Sequence, residues 1–304
     1  MRLRNSGKEE SVNNQQPSPQ RASLAILLVF LSFTWATPAF PWADKTHTVI
    51  NEAALLKLPE DFPSFLREQK SWIIYQGPEP DRWKEPDAYT LKKDTSPDHY
   101  IDLDKIEKSD IRRDRFSYMK AIQRRNLDLD EVGFLPFAII ETYEKLLVSF
   151  KDYRRSQSAE KKKSIEKNIA YYAGLLGHYV GDGSMPLHLT KNYDGWQGAN
   201  PNGYATSNVH GPVESYANSL LRLNNLLPLV NSPRILENPF DEVIEYLYSS
   251  STKVEELYQL HKEGAFTQSP LNPKGEEYIF KCASRGCQML LNLWYTAYIK
   301  SKEQ

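Results

Sequence analysis

The chain has 304 residues, with 38 Lys and Arg against 39 Asp and Glu, a net charge of −1. That balance excludes a duplex nucleic-acid binder working through bulk positive charge, and it excludes an acidic disordered tail. Hydrophobic residues at 40% and charged residues at 25% are ordinary for a globular protein, and two cysteines are too few for a disulfide scaffold or a four-thiolate zinc site.

At the N-terminus a polar segment carrying Arg2, Arg4, Lys8 and Arg21 precedes an uncharged 13-residue run, Leu24 to Ala36, and then the small-residue stretch Thr37-Pro38-Ala39. A basic region, an apolar region and a small-residue exit in that order form the secretory signal pattern. Residues 1–41 are therefore expected to be a signal peptide, and residues 42–304 a single domain that is secreted or periplasmic. An uncleaved anchor is the alternative, and Pro38 and Pro41 count against it as helix breakers late in the run.

Beyond that point the pattern is helix after helix. Val49, Ile50, Ala53, Ala54 and Leu58 follow helical spacing from Lys45 to Leu58, with Asp44 as the expected N-cap. Residues 76–98 hold Pro78, Pro80, Pro86 and Pro97 and read as a long irregular loop. Helical periodicity returns over 110–126, 131–152 and 159–181, where Lys161 to Lys163 read as a solvated face. The Gly-, Asn- and Tyr-rich run 192–208 is a second loop, and helices follow over 211–226, 240–262 and 273–300. No period-two hairpin pattern occurs, so the expected fold class is all-α. Cys282 and Cys287 sit five apart in a helical stretch, on different faces, and are expected to be buried free thiols.

The histidines carry the chemistry. In GHYVGDGSMPLHL, His178 and Asp182 are four apart at a helix end and project from one face, and His188 follows two residues after Pro186. In HGPVE, His210 and Glu214 repeat the four-residue spacing at a helix start, with Pro212 tolerated in the first turn. An imidazole nitrogen and a carboxylate oxygen so placed can converge on one zinc ion at about 2 Å. Trp42 stands five residues before His47, and His99 follows a proline-rich loop that contains Asp81 and Asp87. Only His261, in QLHKEG, reads as an ordinary surface residue.

In order and spacing, from residue 42 to about 216, this set resembles the zinc-dependent phospholipase C and single-strand-specific nuclease family. The resemblance implies an all-α, exported phosphodiester hydrolase with long ligand-bearing loops and three zinc ions in one cleft. One zinc would be held by Asp81, His99, His178 and Asp182, and a second by His188, His210 and Glu214. The third would take His47, the other oxygen of Asp182, and the amino nitrogen and carbonyl of Trp42. Asp81 and Asp182 are the residues to which it assigns catalytic roles. The loop aspartate is either Asp81 or Asp87, and Asp81 is preferred because Gly77 to Arg82 reads as a fixed turn. A zinc-binding amine on Trp42 requires the active chain to begin there, which sits awkwardly with Pro41 before it.

Both branches of that family cleave phosphodiesters, so the resemblance implies a phospholipid or a single-stranded nucleic acid as substrate. Glu214 resembles the phospholipase branch, which is the first expectation. Tyr100, Tyr193, Trp196 and Tyr204 could stack a base, line an acyl or choline pocket, or pack together within their loop. A non-catalytic envelope protein stabilised by zinc is the reading from another class. No permanent protein partner is implied, and a peripheral membrane contact is compatible with a lipid substrate.

Overall fold

Helical periodicity becomes fourteen α-helices among the residues described by the computed structural model, 44–267 and 269–303. The expected signal segment, residues 1–41, and Trp42 lie outside them. α1 spans Asp44–Leu56, and three short helices follow: α2 (Ser64–Glu68), α3 (Lys70–Gln76) and α4 (Glu79–Arg82). Next come α5 (Tyr89–Thr95), α6 (Arg115–Arg124) and α7 (Leu129–Val132), and then two long helices, α8 (Leu135–Arg155) and α9 (Ala159–Asp182). α10 (His210–Leu220), α11 (Leu223–Leu226), α12 (Pro239–Ser251), α13 (Val254–Lys262) and α14 (Pro273–Lys300) complete the set. No strand occurs among the described residues, and one isolated bridge joins Ile101 to Gly133. The described residues fall within one compact unit, Ala39–Gln304. None of their helices is long and apolar enough to cross a membrane.

Several expectations need correction. The proline-rich segment 76–98 is largely helical, holding α4, α5 and the start of a 3-10 turn over Ser96–His99. Pro80 and Pro97 stand in first-turn positions, where a missing N–H costs nothing. They start short helices instead of forbidding them. The expected single helix over 240–262 is two, broken at Thr252 and Lys253, and 211–226 likewise divides into α10 and α11. Asp44 sits in the first turn of α1 instead of capping it. His261 is half-buried on α13. Cys282 and Cys287 are free and buried, as their spacing predicts.

α9 is the central element, flanked by α8, α14, α3 and α1. Its N-terminus is set by Ser158, whose hydroxyl accepts from the Lys161 N–H. Its last ten residues are buried on every side, so each polar group there needs an internal partner. A stripe of glycines allows the close approach. A Cβ on Gly174 would lie 2.5 Å from Gln76 Cβ, and one on Gly177 would lie 1.6 Å from Asn51 Oδ1. Asn51 uses the space thus created: its amide donates to the Ile73 carbonyl at 3.1 Å and to the Gly174 carbonyl at 3.1 Å. One side chain of α1 thereby ties α3 to α9. Opposite, Trp294 of α14 donates to the Ala173 carbonyl at 3.1 Å.

This geometry reverses the usual effect of a glycine replacement. Alanine inside a helix normally stabilises by about 1 kcal/mol over glycine. Gly177→Ala should instead destabilise by about 1–3 kcal/mol, because Asn51 must give up both bonds to make room. Urea denaturation measures the loss, and most of it should disappear in an Asn51→Ala background.

Candidate metal centre

α9 ends in the site. His178 and Asp182, both buried on its last turn, face one way as i,i+4 spacing requires. α1 brings His47 across the glycine stripe, where a Cβ on Gly181 would lie 2.8 Å from His47 Nδ1. The His47 ring stacks on His178, with centroids 4.0 Å apart. α4 carries Asp81, and the 3-10 turn Ser96–His99 carries His99. A second 3-10 turn, Pro186–Leu189, carries His188, and it is held beside His99 by backbone bonds from Ile101 N to His188 O and from Leu103 N to Leu189 O. α10 supplies His210 and Glu214.

Four of these residues converge. Asp182 Oδ2 lies 3.0 Å from His99 Nδ1 and 3.2 Å from His178 Nε2. The two ring nitrogens are 2.9 Å apart, and Asp81 Oδ1 is 3.7 Å from the first and 3.9 Å from the second. Ligands about 2.0–2.1 Å from a tetrahedral centre are separated by roughly 3.3 Å, and these five edges scatter around that value. A second cluster has its own convergence point. Glu214 Oε1 is 2.7 Å from His210 Nε2 and 3.1 Å from His188 Nε2, and those nitrogens are 3.2 Å apart. Asp182 lies between the clusters, with Oδ1 at 3.6 Å from His188 Nδ1 and 3.5 Å from His47 Nε2.

Ring orientation is imposed from outside the clusters. His178 Nδ1–H donates to the Gly77 carbonyl at 2.8 Å, and His188 Nδ1–H donates to the His99 carbonyl at 2.8 Å. Each ring therefore turns its Nε2 toward its cluster, the arrangement that outer partners impose on metal-binding histidines. His47, Asp81 and His178 also approach one another closely enough to share an ion. Since His178 Nδ1 is already engaged, that group competes with the first cluster for the same Nε2. His47 together with Asp182 Oδ1 is the remaining donor pair.

Electrostatics agree with a cation site. Burial, helped by neighbouring His178, pushes His47 down to about 3. Burial and Lys84 push His99 down to about 4. Both are neutral imidazoles at pH 7, the form that binds metal. Burial opposes ionisation of Asp182, yet His178 and His188 outweigh it and hold the carboxyl well below its usual range. Asp81 and Glu214 are also lowered against the pull of burial, Asp81 by His178 and Lys84, Glu214 by His210 and His188. Burial opposes a charge on His188 too, but Asp182 and Glu214 raise it to about 9, so this ring holds a proton that a bound cation would displace. His47 Nδ1 and Nε2 are both buried with no hydrogen-bond partner. Buried donors and acceptors left open in this way, beside three His/Asp/Glu groups of ligating geometry, fit divalent metal.

The clusters form the floor of a cleft of about 650 Å³, to which His99, His188 and His210 contribute. Its walls hold residues that sequence reasoning passed over: Lys84, Lys105, Lys191 and Gln197. Lys84 Nζ is 2.6 Å from Asp81 Oδ1, an i,i+3 pair that becomes visible only once the segment is known to be helical. Asp87, the other loop carboxylate, is exposed. Trp42 lies outside the described residues, so the donors expected from it have no place in this geometry. Trp196 and Tyr204 pack on each other at 4.9 Å and on Tyr258 of α13, leaving the loop with its own small core. Tyr193 stays at the cleft, 55% exposed and edge-on to His210 at 6.2 Å.

No protein-family model matches the chain, and no curated protein matches it either. Among solved structures it is similar to alpha toxin from Clostridium absonum, with a TM-score of 0.45 and 16% identity, over 86% of this chain and 67% of that one.

Protein purified without chelator is expected to carry roughly two to three divalent metal ions per chain. His210→Ala should lower that content by about one ion, since it opens the three-residue cluster, and His261→Ala should leave it unchanged. Elemental analysis reads both, and less than one ion in the unaltered chain would contradict a multinuclear site.

Proposed function

We propose that this protein is an exported zinc-dependent phosphodiester hydrolase, acting as a phospholipase C on phospholipid head groups. The observation that carries the reading is the pair of ligand clusters with Asp182 between them at the floor of a cleft. Asp81, His99, His178 and Asp182 would hold one zinc, and His188, His210 and Glu214 another. A third would rest on His47 and Asp182, with Trp42 completing it. Bound zinc supplies Lewis-acid polarisation of phosphoryl oxygens and lowers the pKa of water. The four members of the first cluster are at most 3% exposed, whereas the His210 side chain is 20% exposed and lines the cleft. A site with three protein donors opening on a cleft supports catalysis over a purely structural role, which takes a closed donor set.

This chain's own residues would position the substrate. The Lys84 side chain, 19% exposed, lines the cleft while its ammonium is held by Asp81 at 2.6 Å. The Tyr100 hydroxyl donates to the Asp130 carbonyl, which holds its ring as a fixed wall beside Leu187. Asp102, Asp130 and Glu131 form an acidic side.

The cleft's charge pairing favours a lipid head group over a nucleic-acid strand. Lys84 is paired with Asp81, and Lys105 lies 3.0 Å from Asp102 and 3.4 Å from Glu131. Among the described residues, only Lys191 of the cleft's three lysines has no carboxylate partner. A strand binder needs several free cations for successive phosphates. A head group with one phosphate asks for positive charge at a single point, which metal on the floor would supply. Exposed Tyr193 beside His210 is the feature that suits a stacked base, so nuclease activity is the second reading.

Purified protein assayed on phosphatidylcholine vesicles and on single-stranded DNA decides between them. Head-group release should exceed DNA cleavage and should stop on addition of chelator. Asp182→Asn should lower hydrolysis by at least about a thousandfold while His261→Ala stays near the unaltered rate. Faster turnover of DNA would overturn the lipid reading and keep the hydrolase.

A further inference from the structure

Where α13 meets α14, a pocket of about 290 Å³ is lined by Lys253, Glu256, Lys281, Cys282 and Arg285, among others. It shares no lining residue with the metal cleft. Three cations therefore face one carboxylate. The lysines have partners, Lys253 with Glu256 at 3.4 Å and Lys281 with Glu277 at 2.6 Å. Arg285 does not: no carboxylate among the described residues comes within ion-pair distance of it.

The guanidinium is held in place without being satisfied. Its Nη2 is 3.6 Å from Cys282 Sγ, a weak acceptor. Burial pushes the Cys282 thiol up to about 11, so it stays neutral and contributes no counter-charge. Arg285 Nε is buried and has no hydrogen-bond partner. A buried donor left open is unfavourable, and folded proteins meet such donors with water or an ion. The excess of positive charge around this one selects an anion, and the planar fork of arginine suits an oxyanion with two adjacent acceptors. The surroundings are preformed, because the Tyr278 hydroxyl donates to the Lys253 carbonyl at 2.7 Å and pins the start of α13 against α14.

We propose that this pocket is a second anion site, which takes a phosphate-type oxyanion on the Arg285 guanidinium with Lys253 and Lys281 at its rim. The site is independent of the hydrolytic reading, and its ligand is either inorganic phosphate or the phosphate of a phosphomonoester. Equilibrium dialysis of the zinc-loaded full chain tests it, with labelled inorganic phosphate in one arm and labelled glycerol phosphate in the other. The unaltered protein should bind about one more phosphate per chain than Arg285→Met, at equal zinc content and equal hydrolytic rate. Binding in the first arm alone identifies free phosphate as the ligand, and binding in both extends it to monoesters. Arg285→Lys keeps the charge and loses the fork, so it should bind roughly tenfold more weakly while the melting temperature holds, which covers the case in which the Met variant fails to fold. Glu256→Gln should tighten binding by removing the one carboxylate of the lining. Equal phosphate binding by the unaltered protein and by both Arg285 variants would overturn the proposal.

Discussion

A single carboxylate, 1% exposed, sits among four histidines, and the fold is organised around the need to compensate it. An ionised Asp182 cannot remain in such a place without opposing charge and hydrogen bonds. Its partners come from α1, from α9 itself and from two 3-10 turns far apart in the chain. The glycine stripe of α9 exists at the same depth, since only glycine lets His47 and Asn51 come so near. Packing and electrostatics are thus one constraint: fill that space with Cβ atoms and the carboxylate loses its company.

The two clusters answer that constraint differently. The first is the more buried, with Asp81 paired to Lys84 at the cleft and His99 its one member on the cleft lining. The second lies nearer the cleft, with His210 partly open and only three protein donors. Depth therefore grades from a closed set to an open one along the Asp182 carboxylate. The same grading appears in the outer hydrogen bonds, where backbone carbonyls of Gly77 and His99 orient His178 and His188. Because one of those carbonyls belongs to a cluster residue, a shift in the Ser96–His99 turn would move both convergence points together.

The two longest helices were legible from periodicity. α9 and α14 agree with their sequence spans nearly to the residue, because long amphipathic repeats bounded by Ser158 or Asn272 caps have one reading. Short helices were not. α4 and α5 lie in a segment dense with proline, and proline is a breaker inside a helix but a starter in its first turn. Counting prolines cannot separate the two cases. The break between α12 and α13 has no proline or glycine to announce it. It depends on where Tyr278 and the α14 surface receive the chain.

For the site, the sequence by itself determined which side chains were available and in what order, since His178 with Asp182 and His210 with Glu214 share a helix face by spacing alone. Only the tertiary structure decided which atoms meet. His99 and Asp182 are 83 positions apart, and no local period reports that they touch. It also decided that Asp81 turns inward while Asp87 faces solvent, and that Trp196 and Tyr204 are used in packing while Tyr193 is left at the cleft. The pairing of Lys84 and Lys105 with carboxylates was equally hidden. The physical reason is common to all of these. Periodicity states which face of an element is buried, whereas charge compensation and contact are sums over neighbours that arrive from every part of the chain.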